Sequence, residues 1–222
     1  MYKFLIADDH PLFRDALVSV IRSKFQDCTI HQTEDVATTL DYVRDHTDTD
    51  LVLLDLNMPG MEGLNGLLEL RNQAPSIPVA IISAETNKQT ILQTMAYGAI
   101  GFISKSSPRE EMSNAFSQII NGDVYLPANI IRATEENKPV NQRTSKPAFS
   151  ADMLNTLTRR QLLVLKSMSQ GSANKQIAYD LNISETTVKS HVSAILKKLG
   201  VHNRIQAVVG VTNIDFDRYL RR

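Results

Sequence analysis

The chain of 222 residues reads as a two-domain protein: a doubly wound α/β domain with a five-stranded parallel sheet, followed by a small all-α domain of four helices. Three observations predict this. Residues 1–121 alternate short apolar runs with segments of helical spacing, which argues for a parallel sheet covered on both faces. The pattern is lost from Ile131 to Asp152, where Glu135-Glu136-Asn137-Lys138-Pro139 and Gln142 through Pro147 have the composition of a linker. From Leu157 onward the periodicity is helical throughout. The boundaries expected are 1–123, a linker over 124–152, and 153–218.

Composition narrows the class. A hydrophobic fraction of 42% and a charged fraction of 22% are those of a globular protein rather than a disordered one. No apolar stretch approaches the roughly 20 residues that span a bilayer, so no membrane partner is expected. Phe4-Leu5-Ile6-Ala7 runs directly into two aspartates and leaves no signal-peptide core. The single cysteine, Cys28, has no partner for an internal disulfide and reads as a packing residue, so a cytoplasmic location is expected. The net charge of zero hides an asymmetry. Residues 1–125 carry 9 Lys/Arg against 17 Asp/Glu, whereas 153–222 carry 11 against 4, so the second domain is suited to a polyanion.

The expected strands are Phe4–Ala7, Thr29–His31, Leu51–Leu54, Val79–Ile82 and Gly101–Ile103. Leu12, Ala16, Leu17 and Ile21, then Met112, Ala115, Phe116 and Ile119, mark amphipathic helices between and after them. Asn121-Gly122-Asp123 reads as a helix stop. In open parallel sheets ligands bind beyond the carboxyl ends of the strands. There the sequence places Asp8-Asp9, Asp55, Ser83 and Lys105. Three clustered carboxylates repel one another unless a cation sits among them, and hard oxygen ligands suit Mg²⁺. Asp55, at the end of the central run, is the candidate nucleophile toward a phosphoryl donor. Asp8 and Asp9 would hold the metal, while Lys105 and the Ser83 hydroxyl would receive the phosphoryl oxygens.

Asp8-Asp9, Asp55 through Gly63, Ser83-Ala84 and Phe102-Ile103-Ser104-Lys105 together resemble the response-regulator receiver family over about residues 2–121. The resemblance implies a flavodoxin-like receiver with Asp55 as phosphoacceptor and a sensor histidine kinase as donor. It also implies Asp9, Asp55 and the Asn57 carbonyl as direct Mg²⁺ ligands, Asp8 acting through water, and Ser83 with Phe102 as a switch pair. His10 adjoins the acidic site but is not expected to donate phosphate. The five histidines show no metal-ligand spacing.

In the second domain the expected helices are Gln161–Ser169, Lys175–Leu181, Glu185–Leu199 and Arg204–Val211. Val188, Val192, Ile195, Leu196 and Leu199 form one apolar stripe, with Ser184 as N-cap. Thr186, Lys189, Ser190, Ser193 and Lys197 lie about 100–200° from Val188 and form an outward polar and basic face. With Lys175–Leu181 before it, this has the shape of a helix-turn-helix whose second helix enters the major groove. Leu157-Thr158-Arg159-Arg160, Asn174 through Ala178, Ser184 through His191 and Leu196 through Arg204 are similar to the LuxR/NarL-type DNA-binding domain. That resemblance implies Thr186, Lys189, Ser190 and Ser193 facing the groove, Lys175 and Lys197 nearer phosphates, and dimerisation through 203–213. Gln161 stands where the family usually has glutamate, which replaces an ion pair with a nearby arginine by a neutral hydrogen bond.

The function expected is that of a two-component response regulator: phosphorylated on Asp55, it binds a double-stranded operator as a homodimer and regulates transcription with RNA polymerase. It is not expected to be an enzyme. Two alternatives stay open. One is an aspartate-nucleophile phosphatase, against which Asn57 stands where a general acid is needed. The other is a phosphorylation-independent DNA binder whose receiver serves only to dimerise.

Overall fold

A computed structural model of the chain describes residues 1–127, 130, 149–201, 204–211 and 214–220. It comprises two compact units, Met1–Ile130 and Ile131–Arg222. Most of the expected linker, 128–129 and 131–148, lies outside the described residues, as do His202, Asn203, Thr212 and Asn213 of the expected dimerisation segment.

In the first unit, strands β1 (Tyr2–Ala7), β2 (Cys28–Thr33), β3 (Leu51–Asp55), β4 (Val79–Ser83) and β5 (Gly101–Ser104) form a parallel sheet of order β2-β1-β3-β4-β5. Helices α1 (Pro11–Lys24), α2 (Val36–Asp45), α3 (Asn65–Gln73), α4 (Lys88–Ala96) and α5 (Arg109–Ile120) connect and follow them. Every residue of β3 and β4 is buried, as expected of central strands covered on both faces, and this is why the sequence shows them as unbroken apolar runs. The edge strand β2 alternates and is mostly accessible. Burial raises the pKa of the Cys28 thiol, which fits a packing residue.

The loop from α3 to β4 is closed from within. Arg71, buried in the unit, donates to the carbonyls of Pro75 at 2.5 Å and of Ile77. Burial lowers its pKa to about 10, which leaves the guanidinium charged at neutral pH.

The first unit continues past the expected boundary at 123. Beyond α5 the chain turns at Gly122, and Tyr125 pairs with the free edge of β5. The Phe102 N–H donates to Tyr125 O at 2.9 Å, and the Tyr125 N–H donates to Ile100 O at 3.3 Å. The Tyr125 hydroxyl donates to Glu111 at 2.8 Å, and Ile130 joins the core cluster that holds Phe102. Gly101 makes room for this strap: a Cβ there would lie 2.7 Å from Ile119 Cδ1 and 3.3 Å from Tyr125 O.

The second unit contains the four expected helices, here α7 (Arg159–Ser169), α8 (Asn174–Leu181), α9 (Glu185–Leu199) and α10 (Arg204–Gly210). Two short ones flank them, α6 (Ala151–Asn155) and α11 (Phe216–Leu220). The predicted stripe of α9 is buried at every position and packs with Leu162, Leu165, Met168 and Ile177. Asn182 and Gly200, both left-handed, end α8 and α9. Ser184 caps α9, its Oγ accepting the Thr187 N–H at 3.0 Å. Ser184→Ala is expected to cost about 1 kcal/mol in urea unfolding of this unit. Phe149 lies against the end of α10, where a Cβ on Gly210 would fall 2.5 Å from its Cζ. Among the described residues no helix is long and apolar enough to cross a membrane.

Candidate functional site

The parallel order brings the ends of β1, β3, β4 and β5 to one edge of the first unit. Asp8 follows β1 and Asp55 ends β3, both buried to about 1% exposure, with Asp9 half-buried between Asp8 and solvent. Lys105 Nζ donates to Asp55 Oδ2 at 2.9 Å and lies 2.7 Å from Asp8 Oδ2, an ion pair off the hydrogen-bond direction. Burial works against the ammonium, but the two carboxylates outweigh it and raise the pKa of Lys105, so the cation persists at neutral pH. Its Nζ also sits 4.9 Å above the ring of Phe13.

Among the described residues three buried carboxylate oxygens here accept no hydrogen bond: Asp8 Oδ2, which meets Lys105, Asp9 Oδ1, which meets His10, and Asp55 Oδ1, for which no ion pair is present either. A buried carboxylate oxygen in that condition is costly unless a cation or a reacting group occupies its other side. Oxygens of Asp8, Asp9 and Asp55 and a nitrogen of His10 all fall within 4.8 Å of one another, a spacing that suits one hard divalent cation.

Of the residues expected at this site, Asp8, Asp9, Asp55 and Lys105 converge. Ser83 ends β4 fully buried, with its Oγ accepting the Glu85 N–H at 3.1 Å rather than meeting Asp55. Phe102 is fully buried in the core cluster with Ile81 and Ile91. The Asn57 side chain is exposed in the bend after β3. Sequence reasoning underweighted His10, whose Nδ1 is 2.6 Å from Asp9 Oδ1 and whose N–H donates to Asp8 Oδ1 at 2.9 Å. It missed Arg14, which donates to Asp8 O at 2.6 Å and so braces the end of β1. The sequence carried a signal for both: each belongs to the loop or first turn directly after the paired aspartates.

In the second unit Thr186, Ser190 and Lys197 are exposed on α9, and Ser193 and Lys175 are half-buried. Ser190 Oγ donates back to Thr186 O at 3.1 Å. Lys189 departs from the outward face expected of it, with only 4% exposure. It lies about 100° from Val188 and one turn before Val192, at the margin of the buried stripe. Gln161 also differs from expectation. Its Oε1 accepts from Lys198 Nζ at 2.9 Å and from the Thr158 N–H at 3.0 Å, so its cationic partner is a lysine of α9 and not an arginine. Arg204, at the start of α10, donates to Asn174 Oδ1 at 3.2 Å and to Ser172 O, which ties α10 to the entry of α8.

Comparison with known proteins agrees with this arrangement. The family described as "Response regulator receiver domain" matches residues 4–117, and "Bacterial regulatory proteins, luxR family" matches 155–211. The chain is 56% identical to the glycerol metabolism activator of Pseudomonas putida across the whole of both chains. It is 32% identical to the nitrate/nitrite response regulator protein NarL of Escherichia coli (strain K12), over 93% of each. A LuxR family DNA-binding response regulator from Silicibacter pomeroyi superposes with a TM-score of 0.53 at 31% identity, over 58% of this chain and 99% of that one. RcsB of Salmonella typhimurium, 20% identical, shares the fold with a TM-score of 0.54 over 96% of this chain and 100% of that one.

Proposed function

Because this chain belongs to the response regulators that join a receiver to a LuxR-type DNA-binding domain, we propose that Asp55 takes a phosphoryl group from a sensor histidine kinase and thereby controls operator binding. The observation that carries this is the buried Asp55 carboxylate, one oxygen held by Lys105 and the other unpartnered. In the transfer, an Asp55 oxygen donates an electron pair to phosphorus as the bond from phosphorus to the donor's imidazole nitrogen breaks, and the imidazole leaves with the electrons of that bond. Lys105 faces the charge that arrives, and the Ser83 hydroxyl, released from the Glu85 N–H, is available to the phosphoryl oxygens. Asp8, Asp9 and Asp55, with the Asn57 carbonyl, would hold Mg²⁺, which supplies charge neutralisation for the oxygens in transit. Phe102, the residue assigned as partner to Ser83 in the switch, is fully buried in the core cluster with Ile81 and Ile91.

On the output side, Thr186, Lys189, Ser190 and Ser193 are assigned to the major groove, and Lys175 and Lys197 to phosphates. Use of Lys189 requires that its head group be uncovered first. Two copies would pair through the 203–213 segment on an inverted repeat and act with RNA polymerase. The name of the Pseudomonas putida relative supports activation of glycerol-metabolism genes as the output. Asn57 offers no general acid two residues beyond Asp55, so turnover on external phosphoesters is not expected.

The test is intact mass after incubation with acetyl phosphate. A gain of one phosphoryl group that requires Mg²⁺ and is absent in Asp55→Asn is the expected result. A gain that persists in Asp55→Asn would move the phosphoacceptor elsewhere, and no gain under any condition would leave a receiver that works without phosphate.

A further inference from the structure

Lys198 stands in the last turn of α9, beside the exposed Lys197, and is itself exposed. Its ammonium is held at two points, donating to Thr156 O at 2.7 Å and to Gln161 Oε1 at 2.9 Å. Both acceptors are neutral, and among the described residues no carboxylate comes within ion-pairing distance of it. Lys166 in the same unit is a contrast: it is neutralised by Asp217 at 2.9 Å. Lys198 is therefore fixed in position by groups that leave its charge intact.

Gln161 is what makes that possible. It is buried to 7% exposure, and a reciprocal capping box fixes its orientation: Thr158 Oγ1 accepts the Gln161 N–H at 3.3 Å, and Gln161 Oε1 accepts the Thr158 N–H at 3.0 Å. The two donors converging on Oε1, Thr158 N–H and Lys198 Nζ, determine which end of the amide faces α9. A glutamate of the same length would make the same cap and would sit favourably at the positive end of α7. It would also cancel the Lys198 charge.

We infer that Gln161 is a positioning residue for DNA binding, holding Lys198 at the end of the recognition helix as an unneutralised cation that adds to the attraction for phosphates. This rests on the reading of the second unit as a duplex DNA binder. Association with DNA releases counterions for each phosphate neutralised, so one effective cation is visible in the salt dependence of binding. Cap strength and DNA affinity are thereby predicted to move in opposite directions on a single substitution, which a purely structural role for Gln161 would not produce.

The experiment uses the full chain treated with acetyl phosphate and Mg²⁺, titrated against a fluorescent mixed-sequence duplex of about 30 base pairs at a series of salt concentrations. Gln161→Glu is expected to weaken binding about three- to tenfold near 50 mM salt, and to reduce the slope of log affinity against log salt by up to about 0.9. Its thermal midpoint should equal or exceed that of the wild type. Lys198→Gln, which removes the charge without adding an acid, should reduce the slope by the same amount. Unchanged affinity and slope in both variants would overturn the inference, as would a fall in the midpoint of Gln161→Glu that accounts for its weaker binding. Failure of the wild type itself to bind any duplex would instead overturn the DNA-binding reading, and the inference with it.

Discussion

Lys105→Met is expected to destabilise the first unit by about 3 kcal/mol in the absence of divalent cations, because it removes one member of a buried ionic cluster. The Asp8 and Asp55 side chains are 2% and 0% exposed, and they share the Lys105 ammonium. Without it two buried carboxylates face each other with no cation between them, and their repulsion is uncompensated. Mg²⁺ should restore most of the loss by supplying the missing positive charge, so urea unfolding with and without the ion is the decisive comparison. Phosphorylation by acetyl phosphate should remain about 100-fold slower even with Mg²⁺ present, since the ammonium facing the incoming oxygens is gone. Equal stability of variant and wild type without cation would mean that the ammonium does not hold the carboxylates together in the resting protein.

The second large effect is expected at the end of α10. Gly210→Ala places a Cβ within 2.5 Å of Phe149 Cζ, and the ring is buried in the core of the second unit. Overpacking of that kind costs about 1–3 kcal/mol. Phe149→Leu in the same chain should recover part of the loss, and a double-mutant cycle on thermal unfolding would show the two positions as coupled. Additive losses would mean that the ring leaves the helix freely. A second readout is self-association of the phosphorylated protein, which should weaken in Gly210→Ala if 203–213 carries the dimer contact.

Much of this site could be read before any coordinates. Strand ends are legible in a parallel sheet because buried strands appear as apolar runs and the next polar residue marks the functional edge. Asp55 after Leu51–Leu54 and Ser83 after Val79–Ile82 are where that rule places them. Helix α9 was legible for a similar reason, since its stripe, its Ser184 cap and its Gly200 stop all agree. What could not be read are contacts made by one residue reaching across the chain. Arg71 closes a loop onto backbone carbonyls, which have no sequence signature. Lys198 reaches Gln161 across 37 positions. Lys189 sits on the margin of its stripe, where angle alone does not decide between outward and covered. Tyr125 forms a single bridge, too short to leave a period in the sequence, so a linker was expected where a strap runs.

That strap bears on how the protein behaves when crowded. A parallel sheet ends in two rows of unspent amides and carbonyls, each a template on which another chain can add a strand. On the β5 side Tyr125 takes up the Phe102 N–H and the Ile100 carbonyl, so this margin is already spoken for. On the β2 side the exposed Thr29, His31 and Gln32 line the border, and the His31 ring is stacked on Tyr42, itself stacked on His46. One border is sealed by the chain's own main chain and the other is guarded by polar and aromatic bulk. Strand addition between receivers is thus opposed at both borders, by the occupied backbone groups at Tyr125 on one side and by exposed side chains on the other.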